Sequence, residues 1–283
     1  MQQDLADRTF VITGANSGIG KITALELARR GARVILACRT RGKTDEVIAD
    51  ITKQTGNSKL EFIELDLGDL ASVRRCGEQL AARGEPIHGL INNAGLAGSR
   101  GSTKDGFELA FGTNHLGHYL FTRLLLPQLQ AGKARIVNVS SKSHYRAKGI
   151  DWDAVKKPTR TITALHEYEV SKLANVLFTK ELARRLDGTG VHVYALHPGV
   201  VATDVWRRIP SPFAWIAKRF MITQEQGAVA SIRCAADPEL ANDSGRYYDV
   251  GGVERRPSKV SDDVALQSEL WRKSAEWVGL PAN

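Results

Sequence analysis

The chain of 283 residues is 42% hydrophobic and 25% charged, the balance of a globular protein large enough to bury a core without staples. Its three cysteines, Cys38, Cys76 and Cys234, show no CxxC spacing, which argues against a disulfide framework or a thiolate metal site and for a reducing compartment. The formal charge of +8 reads as a solvated basic surface, and no apolar run approaches the about 18 residues of a membrane span.

The polar start reaches its first apolar run by Phe10, leaving no room for a signal peptide, so a cytoplasmic location is expected. Thr9–Thr13 is a predicted strand, followed by a glycine-rich turn and a predicted helix from about Ile19 to Arg30, closed by Gly31. Arg33–Cys38 is a second predicted strand, with a helix from about Thr44 to Gln54 and Gly56 behind it. Leu60–Leu65 is a third, and Asp69 can cap a helix running to Arg83. Ile87–Ile91 is a fourth; Asp105 and Glu108 then have capping-box spacing before a helix that Pro127 should end. Ala134–Ser140 and Val191–Leu196 are the fifth and sixth strands, on either side of a helix from Leu165 to Leu186. Thr223 and Gln226 make a further capping box, Arg246–Val250 is the last strand candidate, and a helix follows from Ser261. Strand and helix alternating in this way predict crossover units: an α/β, doubly wound parallel sheet of about seven strands with helices on both faces, in a single domain over residues 1–283.

Within the fifth helix, Tyr168 and Lys172 are four apart and share a face, putting a phenol beside an ammonium. A nearby cation favours the phenolate, so the pair suits general acid–base work on a substrate oxygen. The first strand runs into Gly14-Ala-Asn-Ser-Gly-Ile-Gly20, where glycines permit a tight turn and close approach of backbone to a pyrophosphate at a helix N-terminus. Each pattern alone is common. Here they recur in series with Asp66-Leu67 after strand three, Asn92-Asn-Ala-Gly95 after strand four, Asn114, Ser140-Ser141 after strand five, and Pro198-Gly199 after strand six.

That ordered set resembles the short-chain dehydrogenase/reductase family over nearly the whole chain, with its Rossmann-type fold. The phrases Leu36-Ala-Cys-Arg39, Asn114-His-Leu-Gly-His118, Ser171-Lys-Leu-Ala-Asn175 and Leu196-His-Pro-Gly199 are most similar to the retinol dehydrogenase branch. The resemblance implies that Tyr168 gives or takes the proton, Ser141 hydrogen-bonds the substrate oxygen, and Lys172 lowers the tyrosine's pKa and holds the nicotinamide ribose. It implies that the backbone of Asn114 serves a water relay near that lysine. Ser141 is preferred to Ser140 by alignment with the family, and alternation sends the two to opposite faces of an extended segment. For the cofactor, the resemblance implies contacts from Gly14, Asn16, Ser17, Gly18, Ile19, Gly20, Arg39, Asp66, Leu67, Asn93, Ala94, Gly95, Tyr168, Lys172, Pro198, Gly199, Val201 and Thr203.

A carboxylate at the end of strand two would hold the ribose of NAD and repel a 2′-phosphate. Arg39 stands there instead, with Arg41 and Lys43 behind it, no acid before Asp45, and Lys21 as a second positive charge, so NADP(H) is expected over NAD(H). The stretch from Ser141 to Tyr168 is longer than in many members, as in the retinol dehydrogenase branch. Membrane-bound members of that branch carry a hydrophobic anchor ahead of the first strand; none is read here, so the expected substrate is the wider class of lipophilic aldehydes, ketones and alcohols. Residues 205–222, with Trp206, Phe213, Trp215 and Phe220 among Arg207, Arg208, Lys218 and Arg219, read first as a hydrophobic lid over the substrate. An interfacial helix touching a membrane surface, and ordinary packing or a subunit contact, are the alternatives. The family also implies a homodimer through the fourth and fifth helices. Two other functions fit the pattern less well: a dinucleotide-binding regulator without turnover and a light-driven pigment reductase. Nucleic-acid binding is not expected, because the positive residues are scattered and no recognition motif accompanies them.

Overall fold

The structure is a computed structural model, and it describes residues 3–199 and 222–282. Its sheet forms because the strands alternate buried residues between two faces. In β1 (Thr9–Thr13), Val11 packs into the core on one face while Phe10 and Ile12 pack into the core on the other. β2 (Arg33–Cys38), β3 (Leu60–Glu64), β4 (Gly89–Asn92), β5 (Arg135–Val139), β6 (His192–Leu196) and β7 (Arg246–Asp249) join it in parallel. The order is β3-β2-β1-β4-β5-β6-β7-β8, so the chain reverses direction across the sheet between β1 and β4. Among the described residues the sheet has eight strands rather than about seven. The extra one, β8 (Val253–Glu254), is a two-residue antiparallel return against β7.

One face carries α1 (Gly18–Arg29), α2 (Arg41–Thr55) and α7 (Gln224–Ala236). The other carries α3 (Leu70–Ala81), α4 (residues 109–124), α6 (Leu165–Arg185) and α8 (Val264–Trp277). Asp69 caps α3 through Ala71 and Ser72, and Thr223 and Gln226 close a reciprocal capping box on α7, both as the residue types predict. The capping box expected of Asp105 and Glu108 does not form. Glu108 is itself the cap, accepting from Phe111 N at 2.8 Å, and Asp105 accepts from Leu70 N at 2.9 Å. Pro127 is likewise not a stop. α4 ends at Leu124, and Pro127 sits in the first turn of a new helix, α5 (Leu126–Ala131), where a missing N–H costs nothing. The middle of α4, Gly112–Leu116, is a π-helical turn that the 3.6-residue pattern does not announce.

α8 begins at Val264 rather than at Ser261, because Lys259–Asp262 makes a 3-10 turn before Asp263 caps it. It packs across α4 and α6. Trp271 lies edge-on to Tyr119 at 5.1 Å and is stacked 6.1 Å from Phe178, and its indole N–H donates to the Ala282 carbonyl. The sides of α4 and α6 that bear these rings are therefore covered by the chain's own C-terminal helix. Among the described residues no helix is long and apolar enough to cross a membrane, and all three cysteines are buried thiols.

Candidate active site

A cleft of about 910 Å³ opens over the carboxyl ends of the strands at the β1/β4 reversal, where open α/β sheets take their ligands. Its floor at one end is the turn between β1 and α1. Gly14 and Gly18 there have φ of +65° and +55°, conformations in which a side chain is strained. Gly20 is a matter of space: an added Cβ would sit 2.5 Å from Asn93 Nδ2 and 2.6 Å from the Gly14 carbonyl. Gly20→Ala is therefore expected to cost about 1–3 kcal/mol, read as a lower denaturation midpoint, and to weaken dinucleotide binding. An unchanged midpoint would show that the turn can spread. Ser17 makes no side-chain cap on α1 and no acidic residue lies in the first turn, so the helix N-terminus presents its dipole to the cleft unopposed. These features fit the pyrophosphate of a dinucleotide.

The expected cofactor residues Gly14, Asn16, Ser17, Gly18, Ile19, Arg39, Asp66, Leu67, Asn93, Ala94, Gly95, Pro198 and Gly199 all line this cleft. Gly20 does not line it; its part is to leave the space that the Asn93 amide and the Gly14 carbonyl would deny to a side chain. Asp66 accepts from Gly68 N at 2.9 Å, which shapes the loop after β3, and Asn93 Nδ2 donates to the Thr13 carbonyl at 2.8 Å. At the β2 end, Arg39, Thr40 and Lys43 line the wall, and Arg41 instead stacks over Phe62 at 4.5 Å. Lys21 does not add its charge here. One turn into α1 it points at α2 and pairs with Asp50 at 2.7 Å. Val201, Thr203 and the lid residues 205–221 lie outside the described residues; of that segment only Ile222 is described.

At the other end of the cleft, α6 delivers Tyr168 and Lys172, and the end of β5 delivers Ser141. Ser140 Oγ is buried and donates to the Lys172 carbonyl at 2.7 Å, whereas Ser141 is more open and its hydroxyl acts on the Tyr168 phenol. Lys172 is buried, and its Nζ donates to the Val139 carbonyl at 3.0 Å, beside Asn175 Nδ2 at 3.2 Å. Burial lowers Lys172 from its ordinary value to about 8. The expected effect of Lys172 on Tyr168 is not what dominates. Burial raises the phenol, with Ser141 pulling the other way, and the ammonium is 5.6 Å from the ring centroid because it reaches up to β5.

Asn114 does not line the cleft; it is fully buried in the π-helical turn. Its amide accepts from Leu96 N at 2.9 Å and donates to the Leu96 carbonyl at 3.0 Å and to Ser171 Oγ at 3.0 Å. Ser171 Oγ in turn donates to the Tyr168 carbonyl at 2.8 Å. Lys142, Ser143, Arg146 and His197 also line the cleft near Ser141 and were not singled out from sequence. Their only signal was adjacency to the motifs.

The family model described as short chain dehydrogenase matches residues 8–212. Human retinol dehydrogenase 13 is 43% identical over 288 residues, spanning 97% of this chain and 86% of the relative. Dehydrogenase/reductase SDR family member 13 of Bos taurus is 42% identical, with 98% and 74% covered. A crystal structure of a protein from Mycobacterium paratuberculosis superposes with a TM-score of 0.77 at 34% identity, covering 100% and 99% of the two chains. With the doubly wound sheet and the cleft at its reversal, these similarities make the chain an oxidoreductase of the short-chain dehydrogenase/reductase family, in its retinol dehydrogenase branch, whose fold binds a nicotinamide dinucleotide.

Proposed function

We propose that the protein is an NADP(H)-dependent oxidoreductase that transfers a hydride between nicotinamide and a lipophilic carbonyl or alcohol, with Tyr168 as general acid and base. The observation that carries this is the gathering of Tyr168, Ser141 and Lys172 at one end of a single cleft whose other end is the glycine turn and Arg39. A bound nicotinamide supplies or accepts the hydride. The Ser141 hydroxyl donates a hydrogen bond to the substrate oxygen and orients it toward the phenol. In reduction Tyr168 donates its proton to that oxygen; in oxidation it removes the proton from the alcohol. Lys172 holds its charge beneath the site, where it favours the anion left on the tyrosine and can reach ribose hydroxyls. The retinol dehydrogenase relatives support a lipophilic substrate. A regulator without turnover is not favoured, since the full set of chemical groups stands together.

Arg39 supports NADP(H): with Lys43 it gives this end of the cleft cationic groups where an NAD-binding chain would place a carboxylate. The test follows oxidation of NADPH and NADH by absorbance over aliphatic, aromatic and retinoid aldehydes and ketones. NADPH should be strongly preferred, and Arg39→Ala should raise its KM roughly tenfold or more, with little change for NADH, as expected for loss of a charged hydrogen bond. Equal losses for both cofactors would mean that Arg39 stacks on adenine without selecting phosphate. Cofactor binding without turnover of any substrate would overturn the enzymatic reading.

A further inference from the structure

His118 is completely buried among the functional motifs, and both of its ring nitrogens are engaged. The pattern of bonds around it assigns its protons. Thr13 Oγ1, at the end of β1, accepts from two backbone amides of the cleft loop, Asn93 N at 3.0 Å and Ala94 N at 2.9 Å. Those two bonds use both hydroxyl lone pairs, so Thr13 has only its hydrogen to give. His118 Nε2 lies 2.9 Å away, against 3.5 Å for the Ile91 carbonyl, and takes that hydrogen. Nε2 is then the bare nitrogen. Nδ1 carries the ring proton and donates it to the Asn114 carbonyl at 3.0 Å, a group that can only accept. A second ring proton has no place: it would point at a hydroxyl whose lone pairs are already taken. Burial, with the Lys172 charge adding to it, agrees by lowering His118 to about 4, so the ring is neutral.

The ring therefore joins two halves of the cleft. Through Thr13 it aims the oxygen that holds Asn93 and Ala94 under the dinucleotide. Through the Asn114 carbonyl it fixes the turn whose amide clamps Leu96 and, by way of Ser171, the backbone of Tyr168. Leaving any one of these buried groups unpaired is costly enough to displace the loop it holds.

We propose that His118 is a positioning residue of this site, in which Nε2 sets the loop that grips the dinucleotide and Nδ1–H sets the Asn114–Tyr168 side that performs proton transfer. The proposal rests on the oxidoreductase reading for its catalytic half and stands apart from it for its binding half. Two near-isosteric substitutions separate the bonds. His118→Gln can place an acceptor where Nε2 was and loses the δ donor; His118→Asn can place a donor where Nδ1 was and loses the ε acceptor. With full-length protein, His118→Asn should raise the NADPH Kd, measured by ligand fluorescence, by roughly tenfold and leave kcat at saturation little changed. His118→Gln should keep the Kd and lower kcat by roughly tenfold. Thr13→Val removes the same bond from its other end, so it should weaken NADPH binding like His118→Asn, and combining the two should add little more. Lower thermal stability in both His118 variants with Kd and kcat unchanged would make the ring a core residue only and overturn the proposal. So would equal losses of Kd and kcat in both. Absence of turnover in the unsubstituted protein would sink the oxidoreductase reading but leave the Kd comparison between His118→Asn, His118→Gln and Thr13→Val as a full test of the binding half.

Discussion

Tyr168→Phe is expected to lower turnover by about 10²–10⁴-fold, the span ordinarily supplied by a positioned acid or base, with dinucleotide affinity little changed. Tyr168 is 9% exposed and its ring would stay packed in the variant; what disappears is the oxygen that faces Ser141. The pH profiles of the two directions should also differ. Burial keeps the phenol above its ordinary value, so the proton needed for reduction is present throughout the neutral range and the rate should be flat there. Oxidation needs the deprotonated form, which grows more abundant with rising pH, and its rate should climb. Comparable turnover in Tyr168→Phe would remove Tyr168 as the acid. A reductive rate falling steeply between pH 7 and 9 would show that something other than burial sets the phenol.

Lys172→Met should separate stability from activity. Burial lowers Lys172 to about 8 in the fold, from 10.5 in the unfolded chain. Between those two values the unfolded chain holds a proton that the folded protein has given up, so stability rises with pH across that window. Below about 8 the folded protein must keep the ammonium buried, at a cost on the order of 3 kcal/mol relative to high pH. Methionine removes that cost, and the Val139 carbonyl is not orphaned because Asn175 Nδ2 still donates to it at 3.2 Å. Lys172→Met should therefore raise Tm at pH 7 by roughly 5 °C while turnover falls by at least about 10²-fold. Its advantage should shrink as the pH approaches 10.5. A variant less stable than the parent at pH 7 would mean that the bond from Nζ to Val139 outweighs desolvation.

Much of the architecture was legible in the residues because local physics specifies it. Alternating apolar runs with glycine and acidic caps between them placed Thr9–Thr13 and Arg33–Cys38 to the residue, and the ordered motifs named the family. What local pattern could not supply were the places where a distant partner overrules it. Asp105 was spent on Leu70 rather than on its own helix, because the first turn of α3 lies against it in space. Lys172 reads along the helix as a neighbour of Tyr168, yet its ammonium belongs to a β5 carbonyl.

The same division runs through the site. Residue types and spacing by themselves determined a dinucleotide turn, a tyrosine–lysine pair, a basic β2 end and the sheet that brings them together. The tertiary structure alone decided which groups face the cleft and which brace it from behind: Gly20, Asn114, Thr13 and His118 do not line it, the Ser140 hydroxyl is spent on the Lys172 carbonyl, and Lys21 turns away to Asp50. It also decided that burial, rather than the nearby charge, governs both Tyr168 and Lys172. The reason is physical. Periodicity reports the face of an element on which a side chain leaves, while desolvation and hydrogen-bond partners depend on atoms contributed by strands and helices far away in sequence.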